Sequence, residues 1–311
     1  MSPLKCAVIG VGYLGKFHAE KYAALPDCEL VGVVDTSLEA AQAVAARASS
    51  QPLTDYRELL GRVDAVSIVV PTSLHHQVAK EFLASGAHVL VEKPITVTVE
   101  EADELIRIAA EERRVLMVGH LERFNAALLA LDLTEDKPIF IESHRLAPFK
   151  PRANDVSVVL DLMIHDIDII LDLVDCEVDR IDAKGVPVLT GDVDIANARI
   201  AFKNGSVANV TASRVSQKVE RKMRMFMPNA YVSVDFQNRV LTRHRKGEGE
   251  MFPGIPEIVS EESVFEGGDA LLEEIRHFVT CIRDSREPLV SGYAGRRALA
   301  TATEITRLLN V

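Results

Sequence analysis

Three groups of residues in this 311-residue chain have types and spacings that suit chemistry. The first is Gly10-Val-Gly12-Tyr13-Leu14-Gly15, a G-x-G-x-x-G pattern that follows a short apolar run. Glycines at these places permit a tight turn, let backbone approach a pyrophosphate, and allow close helix–strand packing with the helix N-terminus facing the phosphates. Asp35 stands twenty residues after Gly15, at the end of the next apolar run. A carboxylate there accepts hydrogen bonds from ribose hydroxyls and repels a 2′-phosphate. Thr36 and Ser37 follow it where an arginine would favour NADP, so the pattern selects NAD.

The second group is Glu92-Lys93-Pro94, directly after the apolar run His88–Val91. Ligands of open α/β folds bind at the carboxyl ends of strands, where a lysine can polarise a hydroxyl and stabilise an alkoxide as hydride leaves. By spacing alone, Lys93 reads equally well as a surface lysine. The third is Asp161 and His165 in VVLDLMIHDID. On an α-helix this spacing puts both on one face, where a neutral imidazole can take a hydroxyl proton while the carboxylate orients the ring. A structural His–Asp contact satisfies the same spacing. Asp166 and Asp168 read as helix-surface or capping groups. No third ligand accompanies the pair, and alcohol oxidation with NAD needs no metal, so none is expected.

These residues need rigid supports, and the hydrophobic pattern supplies them. Lys5–Ile9, Leu30–Val34, Ala65–Val70, His88–Val91 and Val115–Val118 read as buried strands. Gly12–Leu25, the stretch from the N-cap candidate Ser37 through Ala48, Leu74–Ser85 and Glu100–Arg113 read as helices between them. Single helices between strands force right-handed crossovers and a parallel sheet, so residues 1–120 are expected to form a doubly wound α/β Rossmann domain. After His120 the pattern changes. A helix over Val158–Leu173 precedes a hairpin, Ile195–Lys203 and Ser206–Ser213, turning at Asn204-Gly205. A second hairpin pairs Arg221–Met227 with Tyr231–Phe236, Arg245–Glu262 reads as a loop, and helices near Ala270–Ser285 and Gly295–Asn310 close the chain. Residues 121–311 are therefore expected to form an α+β domain with a large, mostly antiparallel open sheet. Ile200 and Phe202 on one hairpin face fit either an oligomer contact or burial beneath helices.

Composition narrows the function classes. A net charge of −11 disfavours nucleic acid and anionic membranes as partners. The longest apolar runs are strand-sized, too short to span a bilayer. The N-terminal segment shows no secretion signal, and four scattered cysteines without a C-x-x-C pair fit reduced thiols in a cytoplasmic protein. Two basic stretches, His144–Arg152 and Arg214–Arg224, suit an anionic small molecule or are solvated strand charges.

Taken together, Gly10-x-Gly12-x-x-Gly15, PTSLHHQVAKEFLASGAHVLVEKP, Asp161-x-x-x-His165, the Asn204-Gly205 hairpin and the closing segment with Pro288 and Gly295 resemble the glucose-fructose oxidoreductase / inositol dehydrogenase / rhizopine-catabolism (Gfo/Idh/MocA) family over nearly the whole chain. The resemblance implies a two-domain fold with NAD at the strand ends and a broad sheet used for homodimer or homotetramer contacts. It implies Lys93 and His165 as a catalytic pair with Asp161 in the substrate site. It also implies cofactor contacts from Tyr13, Leu14, Thr72, His75, Glu92 and Lys93 beside the glycines and Asp35. GHLERFNAA, ESHRLAPFKPR and DVSVVLDLMIHDIDI look like the bacterial branch that oxidises the 3-hydroxyl of UDP-N-acetylglucosamine, whose keto product goes to an aminotransferase in making diamino sugars for lipid A. That likeness implies Arg123 and Asn125 in the sugar pocket. It also implies Arg145, Lys150 and Arg152 on the nucleotide diphosphate, whose oxygens pair well with guanidinium and ammonium groups. Ala126 departs from the family pattern, which more often has proline there. A free sugar or polyol such as an inositol is the alternative substrate. A non-enzymatic NAD-responsive regulator is the distant alternative, for which no helix-turn-helix segment is left over.

Overall fold

The computed structural model of the protein describes residues 2–132, 137–149 and 157–309. The chain divides into two compact units, Met1–Phe124 with Asp269–Leu299, and Asn125–Gly268 with Ala300–Val311.

The first unit is built on six parallel strands: β1 (Leu4–Ile9), β2 (Cys28–Val34), β3 (Gln51–Leu53), β4 (Ala65–Ile68), β5 (His88–Glu92) and β6 (Leu116–Gly119). Their spatial order is β3-β2-β1-β4-β5-β6. Helices α1 (Gly15–Ala24), α2 (Leu38–Ala48), α3 (His75–Ala84) and α4 (Val99–Glu111) connect them. A strand such as β4 is buried throughout because both faces are covered, which is why it reads as a continuous apolar run. Chain order reverses between β1 and β4, and the carboxyl ends there border the crevice in which such folds bind ligands. Ser37 caps α2, its Oγ accepting from the Ala40 amide at 3.3 Å. Thr98 and Glu101 form a reciprocal capping box on α4. β3 escapes the sequence reading because three residues carry no period.

Two late helices belong with this sheet: α7 (Ala270–Asp284) and the first part of α8 (Gly292–Leu309). α7 packs on α1, with a Lys21–Asp269 ion pair at 2.5 Å and an Arg283 guanidinium donating to the Asp27 carbonyl at 3.0 Å. The Val118 amide donates to the Val290 carbonyl at 3.0 Å. These units differ from a division at residue 120: residues 121–124 and 269–299 group with the parallel sheet.

The second unit holds one eight-stranded sheet of β7 (Phe140–Leu146), β8 (Val178–Val186), β9 (Ile195–Phe202), β10 (Val207–Ser213), β11 (Glu220–Phe226), β12 (Ala230–Asp235), β13 (Val240–Phe252) and β14 (Ile255–Val264). Its order is β14-β13-β12-β11-β7-β10-β9-β8. β7 and β10 run parallel and the remaining neighbours antiparallel. Helix α6 (Ile164–Val174) lies against β7 and β10. Ile200 and Phe202 are buried within the chain itself, so burial, not an oligomer contact, accounts for that apolar face. The stretch Arg245–Glu262, expected as a loop, is instead most of the β13–β14 hairpin. Its Gly, Pro and Glu content hides any alternation. Cross-strand pairs hold the register, Arg245 to Glu261 and His244 to Ser260, both at 2.7 Å. Among the described residues no helix is long and apolar enough to cross a membrane.

Candidate active site

A cleft of about 680 Å³ opens at the carboxyl ends of β1, β2 and β4, lined by Gly10, Gly12, Asp35, Val69, Pro71 and Leu74 among others. Gly10 has a φ of +87°, and a Cβ there would lie 2.6 Å from the Val69 carbonyl oxygen. A Cβ on Gly15 would lie 1.8 Å from the Gly10 oxygen. Gly12 differs: its Cβ would meet nothing within 4 Å, so its bare backbone borders open space that a pyrophosphate can enter. The Asp35 carboxylate ties the loop to the end of β2, accepting from the Val11 and Ser37 amides at 3.0 Å each. Tyr13 and Leu14 are exposed on the loop. These features fit NAD. Tyr56 and Arg57 also line the cleft; nothing in their spacing marks them in the sequence. Arg57 lies 3.6 Å from Asp55 and 3.7 Å from Glu81, so neighbouring acids balance its charge.

At the end of β5 the Lys93–Pro94 peptide is cis. Glu92 anchors the segment: its Oε2 accepts from the Lys93 amide at 3.3 Å and its Oε1 lies 3.2 Å from His18 Nε2. Burial works to raise the Glu92 pKa, but the hydrogen bond and charge of His18 and the charge of Lys93 outweigh it and hold the carboxyl below its ordinary value. Thr72 sits in a short turn, Thr72–Leu74, that leads into α3. His75, the first residue of α3, is 1% exposed and lies between two carbonyls, Pro94 at 2.9 Å from Nδ1 and Val70 at 2.9 Å from Nε2, of which the neutral ring donates to one at a time. Burial keeps its pKa below the usual histidine value. His75 therefore staples the loop after β4 to the lysine–proline segment. His18 is a further member of this cluster that no sequence spacing reveals.

In the second unit Asp161 lies in a π-helical turn, Val159–Met163, and His165 follows as the second residue of α6. Both are half-buried. The expected single helix over Val158–Leu173 thus opens with a π turn that holds Asp161, and His165 follows in the α-helical part; π turns recur at functional sites. Asp166 and Asp168, expected on the surface, are buried at 1% and 2% exposure. Asp166 receives the Arg145 fork, Nε to Oδ2 at 2.8 Å and Nη2 to Oδ1 at 3.0 Å. The Arg145 guanidinium also lies 5.9 Å from the Phe236 ring centroid. Arg145, expected on a substrate phosphate, is therefore engaged inside the unit, because alternation along β7 turns it toward the buried face.

Arg123 and Asn125, expected in a sugar pocket, are also buried. Arg123 Nη2 donates to the Leu289 carbonyl at 3.5 Å. Asn125 caps the short helix α5 (Ala126–Leu129) by accepting from the Ala127 amide at 3.1 Å, and donates to the Phe236 carbonyl at 2.9 Å. Lys150 and Arg152 lie outside the described residues. In the other basic stretch, Arg224 pairs with Glu142 at 2.7 Å and Lys218 with Glu220 at 2.6 Å.

Comparison with known proteins gives a consistent answer. Residues 4–120 match the Gfo/Idh/MocA oxidoreductase family, NAD-binding Rossmann fold, and residues 138–232 match the Gfo/Idh/MocA C-terminal domain. The UDP-N-acetylglucosamine 3-dehydrogenase of Acidithiobacillus ferrooxidans is 44% identical over 306 residues, covering 98% of this chain and 97% of that protein. A solved structure of that enzyme matches with a TM-score of 0.94 at 43% identity, over 99% of this chain and 98% of the other. The scyllo-inositol 2-dehydrogenase (NAD(+)) of Bacillus subtilis is 28% identical over 310 residues, 93% of this chain and 89% of that protein.

Proposed function

This chain belongs to the Gfo/Idh/MocA family of NAD-dependent oxidoreductases, and from that premise we propose that it oxidises the 3-hydroxyl of UDP-N-acetylglucosamine to a 3-keto sugar. The observation that carries the reading is the 44% identity, over nearly the full length of both chains, to an enzyme named for that reaction. NAD, held where the Gly12 backbone borders the cleft, supplies the hydride acceptor. His165 takes the hydroxyl proton on a ring nitrogen, Asp161 orients the ring, and the Lys93 ammonium stabilises the oxygen as it becomes an alkoxide and then a carbonyl. Glu92 and His75 act on Lys93 indirectly, by holding its segment in place. Arg145 acts through Asp166, one residue beyond His165, and so positions α6 instead of binding phosphate. A ketone next to an acetamido carbon is the kind of product an aminotransferase consumes, and we read the reaction as a step toward the diamino sugars of lipid A. We read the enzyme as a cytoplasmic homodimer or homotetramer.

The test is purified protein with NAD and four substrates: UDP-N-acetylglucosamine, its uronic acid, free N-acetylglucosamine and myo-inositol. NADH absorbance is read together with product mass, which registers turnover even when cofactor is held tightly. A product two hydrogens lighter from the UDP-linked sugars alone is the expected result. Oxidation of myo-inositol or the free sugar in preference would move the enzyme to the polyol branch. Lys93→Met and His165→Ala are each expected to lose on the order of 10²–10⁴ in kcat, and full activity in either would remove that residue from the mechanism.

A further inference from the structure

The core of the first unit contains an acid that the mechanism above does not use. Glu274 lies on α7 with no solvent exposure, and neither carboxyl oxygen has a hydrogen-bond partner among the described residues. A carboxylate so placed would lose its hydration with nothing in return, so the site accepts the neutral acid. Burial, reinforced by the negative charge of Glu92, pushes the Glu274 pKa well above the ordinary carboxyl value.

The charged and titratable groups on the elements around Glu274 are engaged elsewhere. From α1, Lys21 is paired with Asp269, the Tyr22 hydroxyl with Ser67 Oγ at 3.0 Å, and His18 Nε2 with Glu92. From the turn after β6, which also packs on α7, Arg123 reaches the Leu289 carbonyl. His18 Nδ1 is itself buried without a partner. Glu92 is thus the ionised carboxylate of the cluster, joined at once to His18 and to the Lys93 backbone.

We propose that Glu274 is a positioning residue for the Lys93 segment: buried on α7 without a hydrogen-bond partner among the described residues, it adds no second carboxylate charge to the cluster in which Glu92 joins His18 to the Lys93 amide, and a charge placed on it loosens that arrangement. The proposal rests on the reading of Lys93 as catalytic, and its test separates the two. The folded chain keeps a proton on Glu274 that the unfolded chain releases above about pH 4.5, so this group's contribution to stability falls as pH rises from there. Glutamine does not titrate. The Tm of Glu274→Gln minus that of the wild type is therefore expected to grow from about pH 5 to about pH 8, by a few degrees, and Glu274→Met, also neutral and of similar volume, should show the same growth. In kcat/KM profiles Glu274→Gln should stay within about threefold of wild type at neutral pH while its alkaline fall moves upward.

A Tm difference that is flat or shrinks with pH in both variants would show an ionised Glu274 and overturn the proposal. An alkaline limb identical to that of the wild type would equally overturn the positioning role. Full activity in Lys93→Met would instead remove the catalytic reading, and the Tm comparison would still report the protonation of Glu274.

Discussion

Arg145 and Asp166 hold each other through two hydrogen bonds, with 4% and 1% of their side chains exposed. Two charges taken out of water offset their desolvation only while both are present; removing one leaves the other buried and uncompensated. Asp166→Ala is therefore expected to cost about 3–5 kcal/mol, read as a lower urea midpoint with an unchanged slope. Arg145→Met combined with Asp166→Leu should recover much of that loss, whereas an unshifted midpoint in Asp166→Ala would mean that the pair does not hold in solution. This is also where sequence reasoning stops at the residue scale. The glycine loop is legible because its chemistry and its spacing lie in one short segment, whereas spacing alone reads Lys93 equally well as a surface lysine. The partner of Arg145 lies twenty-one residues away on another element, and residue type does not reveal which face of β7 it occupies. Asn125, read as lining a sugar pocket, is likewise placed inside, where it bonds the Phe236 carbonyl.

Elements with a clean period were legible and those without one were not. Apart from the three-residue β3, the strands and helices of the parallel sheet announce themselves as apolar runs and helical stretches within a residue or a few of their observed ends. The β13–β14 hairpin is exposed along most of both strands, so no buried face imprints an alternation on it. The π turn before α6 differs from an α turn by one residue in its hydrogen-bond step, too little for a spacing pattern to register. The strand–loop–helix joint at β1 and α1 makes a sharper claim that can be tested. Gly15 has no room for a methyl group, whereas Gly12 has open space. Gly15→Ala must push α1 away from the loop and is expected to cost roughly 1–3 kcal/mol of stability along with NAD affinity. Gly12→Ala should unfold as the wild type does yet bind NAD at least about tenfold more weakly, since its methyl enters the space the pyrophosphate needs. Equal NAD affinity in Gly12→Ala and wild type, measured by calorimetry, would show that the pyrophosphate does not approach that backbone.

At the scale of the molecule the alternation of strands and helices ends near residue 120, as does the match to the NAD-binding family domain, but the compact unit does not end there. Residues 269–299 return to it after the whole eight-stranded sheet has been made. Ile275, Phe278, Val290 and Leu299 are buried, the Val290 carbonyl accepts from the Val118 amide of β6, and Arg296 forks onto Asp103 of α4 at 2.9 and 3.1 Å. A fragment of residues 1–124 would leave the face of α1 that meets α7 in water, together with the edge of β6. It is expected to bind hydrophobic dyes, to unfold without a sharp transition and to bind NAD poorly. Because the turn at Leu121–Phe124 packs directly on α7, a short Gly/Ser linker from Phe124 to Asp269 can join the two pieces. The joined chain, 1–124 followed by 269–299, should unfold cooperatively and recover NAD binding without any of the eight-stranded sheet. If 1–124 alone matches it in both respects, the late helices are an accessory to the cofactor unit; if only the joined chain succeeds, the unit is discontinuous in sequence and the parallel sheet cannot be completed until the last forty-odd residues have been made.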